Sequence, residues 1–154
     1  MSFYDWMFAL HLIAAFAVAS SLVLFSVLVW TGRRMTTLEQ TRTLFRVAPV
    51  GGILIAGGLT IVVGLGVYLA IASNRYEIWN LWVIVAIVLT LAFGGIGQRS
   101  GAYYTDVQKL AEQPGADGAE VLARLQAPTG ARLHLATVVL FLLIVLDMVF
   151  KPGA

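Results

Sequence analysis

Four long apolar runs dominate this sequence and limit what the chain can fold into. A helix needs about 20 mostly apolar residues to cross the ~30 Å hydrocarbon core of a bilayer, and each run reaches that length. The runs therefore predict an all-α fold, a four-transmembrane-helix bundle formed by a single integral membrane domain, 1–154. The predicted spans are about 6–31, 49–72, 78–98 and 131–150, and the connecting loops, predicted to be cytoplasmic, are 32–48 and 99–130.

The composition agrees with a bilayer protein. Hydrophobic residues make up 60% of the 154 residues and charged residues only 12%, whereas soluble domains are roughly a quarter charged. The sequence has no cysteine, which excludes disulfides, iron–sulfur clusters and thiolate metal sites. The net charge of +2 is small, so the basic residues are interpreted as setting orientation in the lipid bilayer, and no nucleic-acid partner is expected.

Lysine and arginine are distributed unequally between the two sides of the predicted bundle. Eight of the ten lie in the two long loops, and the other two, Arg75 and Lys151, lie on the opposite side. Cytoplasmic loops of membrane proteins carry an excess of Lys and Arg. We therefore expect a multi-pass protein of the bacterial inner membrane with both termini extracytoplasmic. The eight are Arg33, Arg34, Arg42, Arg46, Arg99, Lys109, Arg124 and Arg132.

The second run contains six glycines, which makes it the predicted centre of the bundle. At 100° per residue they fall on two flanks, one with Gly51, Gly52, Gly58 and Gly66 and one with Gly57 and Gly64. In lipid, helices are held together by close backbone approach across small residues. We therefore predict helix packing at Gly51, Gly57, Gly58 and Gly64. The alternative is a flexible or kinked span whose glycines contact nothing.

Short helices are predicted in both long loops. Thr36 to Glu39 matches the capping-box pattern and indicates a helix that leads towards Pro49. In the second loop, Pro114 and Gly115 break the helical pattern and Asp117 is placed to cap the following piece. This second loop either lies on the membrane or a partner as an interfacial hairpin, or folds back on the bundle.

His11 is the main candidate for chemistry, because ionisable residues inside a membrane are costly and often functional. It lies in the first predicted span, on a face shared with small residues, and this face is expected to point into the bundle. Three interpretations remain open: an interhelical hydrogen bond, a haem or metal ligand, and a proton-relay group.

Two other ionisable positions have simpler interpretations. His134 begins the fourth span near the cytoplasmic boundary and is expected to be an interfacial residue. Asp147 and Lys151 are four residues apart near the other end of that span, with the acid first, so we expect a pair within one helix.

The two ends of the chain carry a resemblance to a known family. The opening Phe8–Ala15, which contains His11, and the ending Asp147–Gly153, together with four spans of similar length, resemble a family of small four-helix bacterial integral membrane proteins without an assigned activity. That family is related to the copper-resistance D domain and to the membrane proteins that oxidise protoporphyrinogen. The resemblance implies a bundle with a histidine in the first helix and, as in the porphyrin-oxidising relatives, bound haem b.

These features predict three classes of function. The first is a non-catalytic accessory or structural component of a membrane complex, packed through the glycine-rich helix against a membrane-protein partner or in a homo-oligomer. The second is a b-type haem-binding redox protein or porphyrin oxidase that uses His11 as cofactor ligand. The third is a small transporter or channel, which has least support because no charged residue at the membrane centre marks a pathway.

Overall fold

The computed structural model describes residues 2–72 and 79–151, and this part of the chain is helical with no strand. Four of its helices, α1, α3, α4 and α6, are long and apolar enough to cross a membrane. The chain is therefore a multi-pass membrane protein, and the predicted all-α bundle of four spanning helices is confirmed. The helices are α1 (Phe3–Gly32), α2 (Leu38–Phe45), α3 (Ala48–Ala72), α4 (Leu81–Glu112), α5 (Gly118–Gln126) and α6 (Pro128–Phe150).

The spanning helices form two antiparallel pairs. α1 packs mainly on α3, and α4 packs mainly on α6. Val18, Leu22 and Phe93 are buried where the two pairs meet, so this small cluster is the centre of the membrane core. We call the end of the bundle that carries α2 and α5 the loop end, and the end that carries Phe3 and Phe150 the terminal end.

α4 is longer than the predicted third span and continues to Glu112, well past residue 98. No proline interrupts this stretch, and the helix ends just before Pro114 and Gly115. Gly115 has φ +74°, a left-handed conformation that glycine adopts without steric cost, and it reverses the chain towards α5. The short connection between the second and third predicted spans, 73–77, lies outside the described residues.

A second core closes the loop end. Phe45 of α2, Val107 and Ala111 of α4, and Val121 and Leu125 of α5 are all buried together. Side-chain bonds to main-chain carbonyls reinforce the layer: Arg42 Nε donates to Ala111 O (2.7 Å), Tyr103 Oη to Arg124 O (2.6 Å), and Gln126 Nε2 to Met35 O (2.9 Å). Of the two arrangements expected for the second loop, the structure has the one that folds back on the bundle.

The two short helices begin at capped residues. Asp117 accepts a hydrogen bond from Ala119 N (2.9 Å), which is the predicted cap of α5. α2 begins one residue later than the Thr36 pattern indicates, because Thr37 accepts from Gln40 N (3.3 Å). Thr36 donates its backbone N–H to the Gln40 side chain (3.1 Å). The acidic or amide side chain that completes the capping pattern is therefore Gln40 and not Glu39.

Candidate functional site

The glycine-rich helix α3 contacts α1 along only one of its two flanks. A Cβ atom built on Gly58 would lie 2.9 Å from Val18 Cγ2 and 3.1 Å from Ala14 O, and one on Gly51 would lie 3.0 Å from the Phe25 ring. Real Cβ contacts are almost never as short as the one at Gly58, so a side chain there would force a shift, and one at Gly51 would require the Phe25 ring to move by a few tenths of an ångström. The prediction that Gly51 and Gly58 lie at a helix interface agrees with this geometry.

The other flank of α3 is open. A Cβ atom on Gly57 or Gly64 would meet nothing within 4 Å in the described part of the chain, and neither would one on Gly52 of the first flank. Gly57 and Gly64 are both exposed, as is Thr60 between them on the same side of the helix. The predicted packing at Gly57 and Gly64 therefore has no partner among the described residues, because α3 packs mainly on α1, which lies against the opposite flank.

His11 lies at the interface of α1 and α3, near the terminal end. Its ring fills the space that the missing side chain of Gly66 leaves, since a Cβ atom there would be 3.3 Å from His11 Cε1. The ring also lies beside the backbone of Val62. His11 Nδ1 is buried and has no hydrogen-bond partner. Its environment is thus a tight contact with a neighbouring helix.

This environment restricts how haem could bind. A haem iron needs an imidazole nitrogen within about 2 Å and room for the whole macrocycle beside the ring. Nδ1 of His11 is buried, so Nε2 is the ring nitrogen that could reach an iron, and the ring packs against Gly66 of α3. Among the described residues, moreover, no three His, Asp or Glu side chains come together in a group that could hold a metal ion. We therefore derive no haem chemistry for His11.

His134, expected near the membrane interface, is buried within the protein, with 6% of its surface exposed. Its Nε2 lies 2.8 Å from Ser26 Oγ on α1, and the same hydroxyl donates to Leu22 O at 2.8 Å. A serine hydroxyl has a single proton, so His134 Nε2 must be the donor to Ser26. The ring therefore carries a proton on Nε2, and the bond joins α1 to α6.

Asp147 on α6 is also buried, with 7% of its surface exposed, and neither carboxylate oxygen has a hydrogen-bond partner. The predicted pair with Lys151 does not form as an ion pair. The Lys151 ammonium instead lies 5.6 Å above the ring of Trp82 on α4. The predicted pairing is wrong because Lys151 is the C-cap of α6 with φ +43°, so its side chain departs from the helical spacing that a pair with Asp147 requires.

At the loop end, Gly130 of α6 allows two tyrosines of α4 to approach the α6 backbone. A Cβ atom at Gly130 would be 2.6 Å from Tyr103 Cε1 and 2.7 Å from the Tyr104 hydroxyl. The rings of Tyr103 and Tyr104 are edge to face, 5.4 Å between centroids. Tyr104 is in the part of α4 beyond the predicted span, and burial, with a smaller contribution from Tyr103, raises the pKa of its phenol to about 12.

Sequence reasoning missed three of these features. Nothing local to Ser26 predicts a bond to a histidine 108 residues away. Gly130 lies just before the predicted fourth span, and its role appears only when α4 is placed beside it. The burial of Asp147 had one available signal, since a carboxyl in the last turns of an apolar helix is itself unusual.

Comparison with known proteins adds no relative. No protein-family model matches the chain, and neither a curated protein nor a solved structure is similar to it. The family resemblance of the two chain ends therefore remains an expectation, and the functional argument rests on the geometry of the helices.

Proposed function

We propose that this protein is a small accessory component of a membrane complex and that it docks onto a helix of another membrane protein through α3. The observation that carries the proposal is the flank of α3 with Gly57, Thr60 and Gly64, which faces away from α1 and has no neighbour in the described bundle.

The physical reason lies in how helices associate in lipid. Acyl chains are as apolar as leucine, so helices gain little by withdrawing an apolar face from lipid, and van der Waals packing with close backbone approach becomes decisive. The flank of α3 that faces α1 uses its glycines in this way, at Gly51 and Gly58. Gly57 and Gly64 are one heptad apart and give the opposite flank the same capacity for a partner's helix.

Orientation is a further part of the proposal. The eight-to-two distribution of Lys and Arg supports a loop end in the cytoplasm and a terminal end outside the inner membrane. Because the chain has no cysteine, single cysteines are unique labels. Ser2→Cys should react with an impermeant thiol reagent from outside the cell, and Gln113→Cys only after permeabilisation. Reaction of Gln113→Cys in intact cells would contradict this orientation.

The docking proposal is tested by adding bulk to the open flank. Gly57→Leu and Gly64→Leu should leave the isolated protein as stable as the wild type, since a Cβ atom at either position meets no atom of the described bundle. They should, however, abolish the larger complex that the wild type forms in native membranes solubilised in mild detergent. The measurement is the mass of the complex by native electrophoresis and mass spectrometry.

Gly95→Leu is the matched control. Gly95 is an exposed glycine of α4, and a Cβ atom built on it would likewise meet nothing within 4 Å, so the same substitution is made on a different helix face. The control should keep the complex. Loss of the complex in all three variants, or in none, would contradict docking through α3. A complex containing only copies of this chain would replace the accessory function with a homo-oligomer.

A further inference from the structure

A cleft runs along the loop-end half of α1, on its surface. It is an open groove of about 450 Å³. The residues that line it lie along one stripe of the helix and continue just past its end: Val23, Ser26, Val27, Trp30, Thr31 and Arg34.

The length of this cleft matches one leaflet of a bilayer. Val23 and Arg34 are 11 residues apart, which at 1.5 Å per residue corresponds to roughly 16 Å along the helix axis. One half of a ~30 Å hydrocarbon core is about 15 Å. The cleft therefore extends from headgroup level, at Arg34, into the apolar part of the loop-end leaflet, at Val23.

The wall of the cleft is apolar along its depth. Val23 and Val27 are exposed there, and Trp30 is positioned near the polar end, where tryptophan is commonly found in membrane proteins. The one polar group at mid-depth is Ser26, and its hydroxyl is already bonded to Leu22 O and His134 Nε2. Ser26 thus needs no polar partner from an occupant, and an acyl chain meets no unsatisfied group.

The charge at the mouth of the cleft is available to a ligand. Arg33 Nη1 donates to Ala127 O (3.4 Å) and Arg42 Nε donates to Ala111 O (2.7 Å), so both guanidinium groups are engaged with the protein. Arg34 is exposed and lines the cleft, and no hydrogen bond or ion pair joins its side chain to the described part of the chain. Guanidinium binds phosphate oxygens well, often with two parallel hydrogen bonds.

We propose that this cleft binds one anionic phospholipid from the loop-end leaflet. The phosphate binds Arg34, with Thr31 beside it, and one acyl chain lies along Val27 and Val23. A net negative headgroup is favoured over a zwitterionic one because Arg33 and Arg34 together repel an ammonium group at the same level. This inference does not depend on docking through α3.

The first test changes the charge. The full-length protein in mild detergent is titrated with dioleoyl phosphatidylglycerol or dioleoyl phosphatidylcholine, and bound lipid is counted by native mass spectrometry. Arg34→Gln should weaken binding of phosphatidylglycerol about tenfold or more, as expected for loss of a charge-assisted hydrogen bond. Arg46→Gln is the matched control, an exposed arginine at the same end that does not line the cleft, and it should change binding less than threefold.

The second test fills the cleft without changing charge. Val27→Trp should abolish tight lipid binding, whereas Val88→Trp, at a position of α4 with similar exposure (60% against 56%), should not. Phosphatidylglycerol with brominated acyl chains should quench Trp30 fluorescence, and the quenched component should disappear in Trp30→Phe. Circular dichroism and thermal unfolding of each variant verify that it is folded.

Four results would overturn the proposal. They are equal affinity for phosphatidylglycerol and phosphatidylcholine, equal losses in Arg34→Gln and Arg46→Gln, tight binding retained by Val27→Trp, and displacement of the lipid by inorganic phosphate at equal concentration. The last result would indicate a simple anion site in which the acyl chain has no role.

Discussion

Two adjacent glycines of α3 allow the packing of α1 on α3 to be measured directly. Gly58→Ala places a methyl group 2.9 Å from Val18 Cγ2 and 3.1 Å from Ala14 O, about half an ångström inside ordinary contact. Ala14 O is a main-chain atom, so it can move only if the two helices separate. Overpacking of this kind typically costs about 1–3 kcal/mol.

Gly57→Ala is the control for every other effect of the substitution. It is the same change one residue away, and its methyl group meets nothing within 4 Å. Replacing glycine with alanine in a helix interior favours the helix by up to about 1 kcal/mol, and the two variants share this gain. The difference in their free energies of unfolding therefore measures the cost of the steric overlap with Val18 and Ala14. We expect Gly58→Ala to be less stable than Gly57→Ala by about 1–3 kcal/mol.

The assay is equilibrium unfolding in mixed micelles with increasing SDS, followed by circular dichroism, on purified protein at fixed concentration. Gly57→Ala should unfold at or above the SDS fraction of the wild type, and Gly58→Ala below that of Gly57→Ala. Equal midpoints, or a lower midpoint for Gly57→Ala, would refute the assignment of the Gly58 flank to the α1 interface.

Three further substitutions test other contacts in the same assay. Gly130→Ala should destabilise by about 1–3 kcal/mol, since its methyl group would overlap Tyr103; wild-type stability would contradict this contact. Ser26→Ala should cost about 1–3 kcal/mol by leaving the buried His134 Nε2 without a partner, and adding His134→Leu should recover much of the loss, whereas strictly additive losses would show that the two do not interact. Asp147→Leu should stabilise by about 1–3 kcal/mol, because it removes two buried oxygens that have no partner; a less stable variant would mean that the carboxyl has an energetically important role.

The sequence by itself determined the number of spanning helices and their approximate bounds. These follow from local properties. A run of about 20 apolar residues is long enough to cross the bilayer, and in lipid its backbone N–H and C=O groups find hydrogen-bond partners within a helix. The cap at Asp117 and the break at Pro114 and Gly115 are also local, because a capping side chain bonds its own neighbours and proline cannot continue a helix. Such features need no knowledge of what lies beside the helix.

Only the tertiary structure decided which face of each helix meets protein and which meets lipid. In a soluble protein the buried face is the apolar one, but in a bilayer both faces are apolar. The pattern along α3 therefore does not indicate that the Gly58 flank contacts α1 and that the Gly57 flank is open. The polar contacts could not be predicted either, because the sequence does not show which helix packs against each polar side chain. His134 bonds a serine 108 residues away, while His11 of α1 fits against Gly66 of α3 and Asp147 remains without a partner, and each outcome depends on the helix that packs alongside.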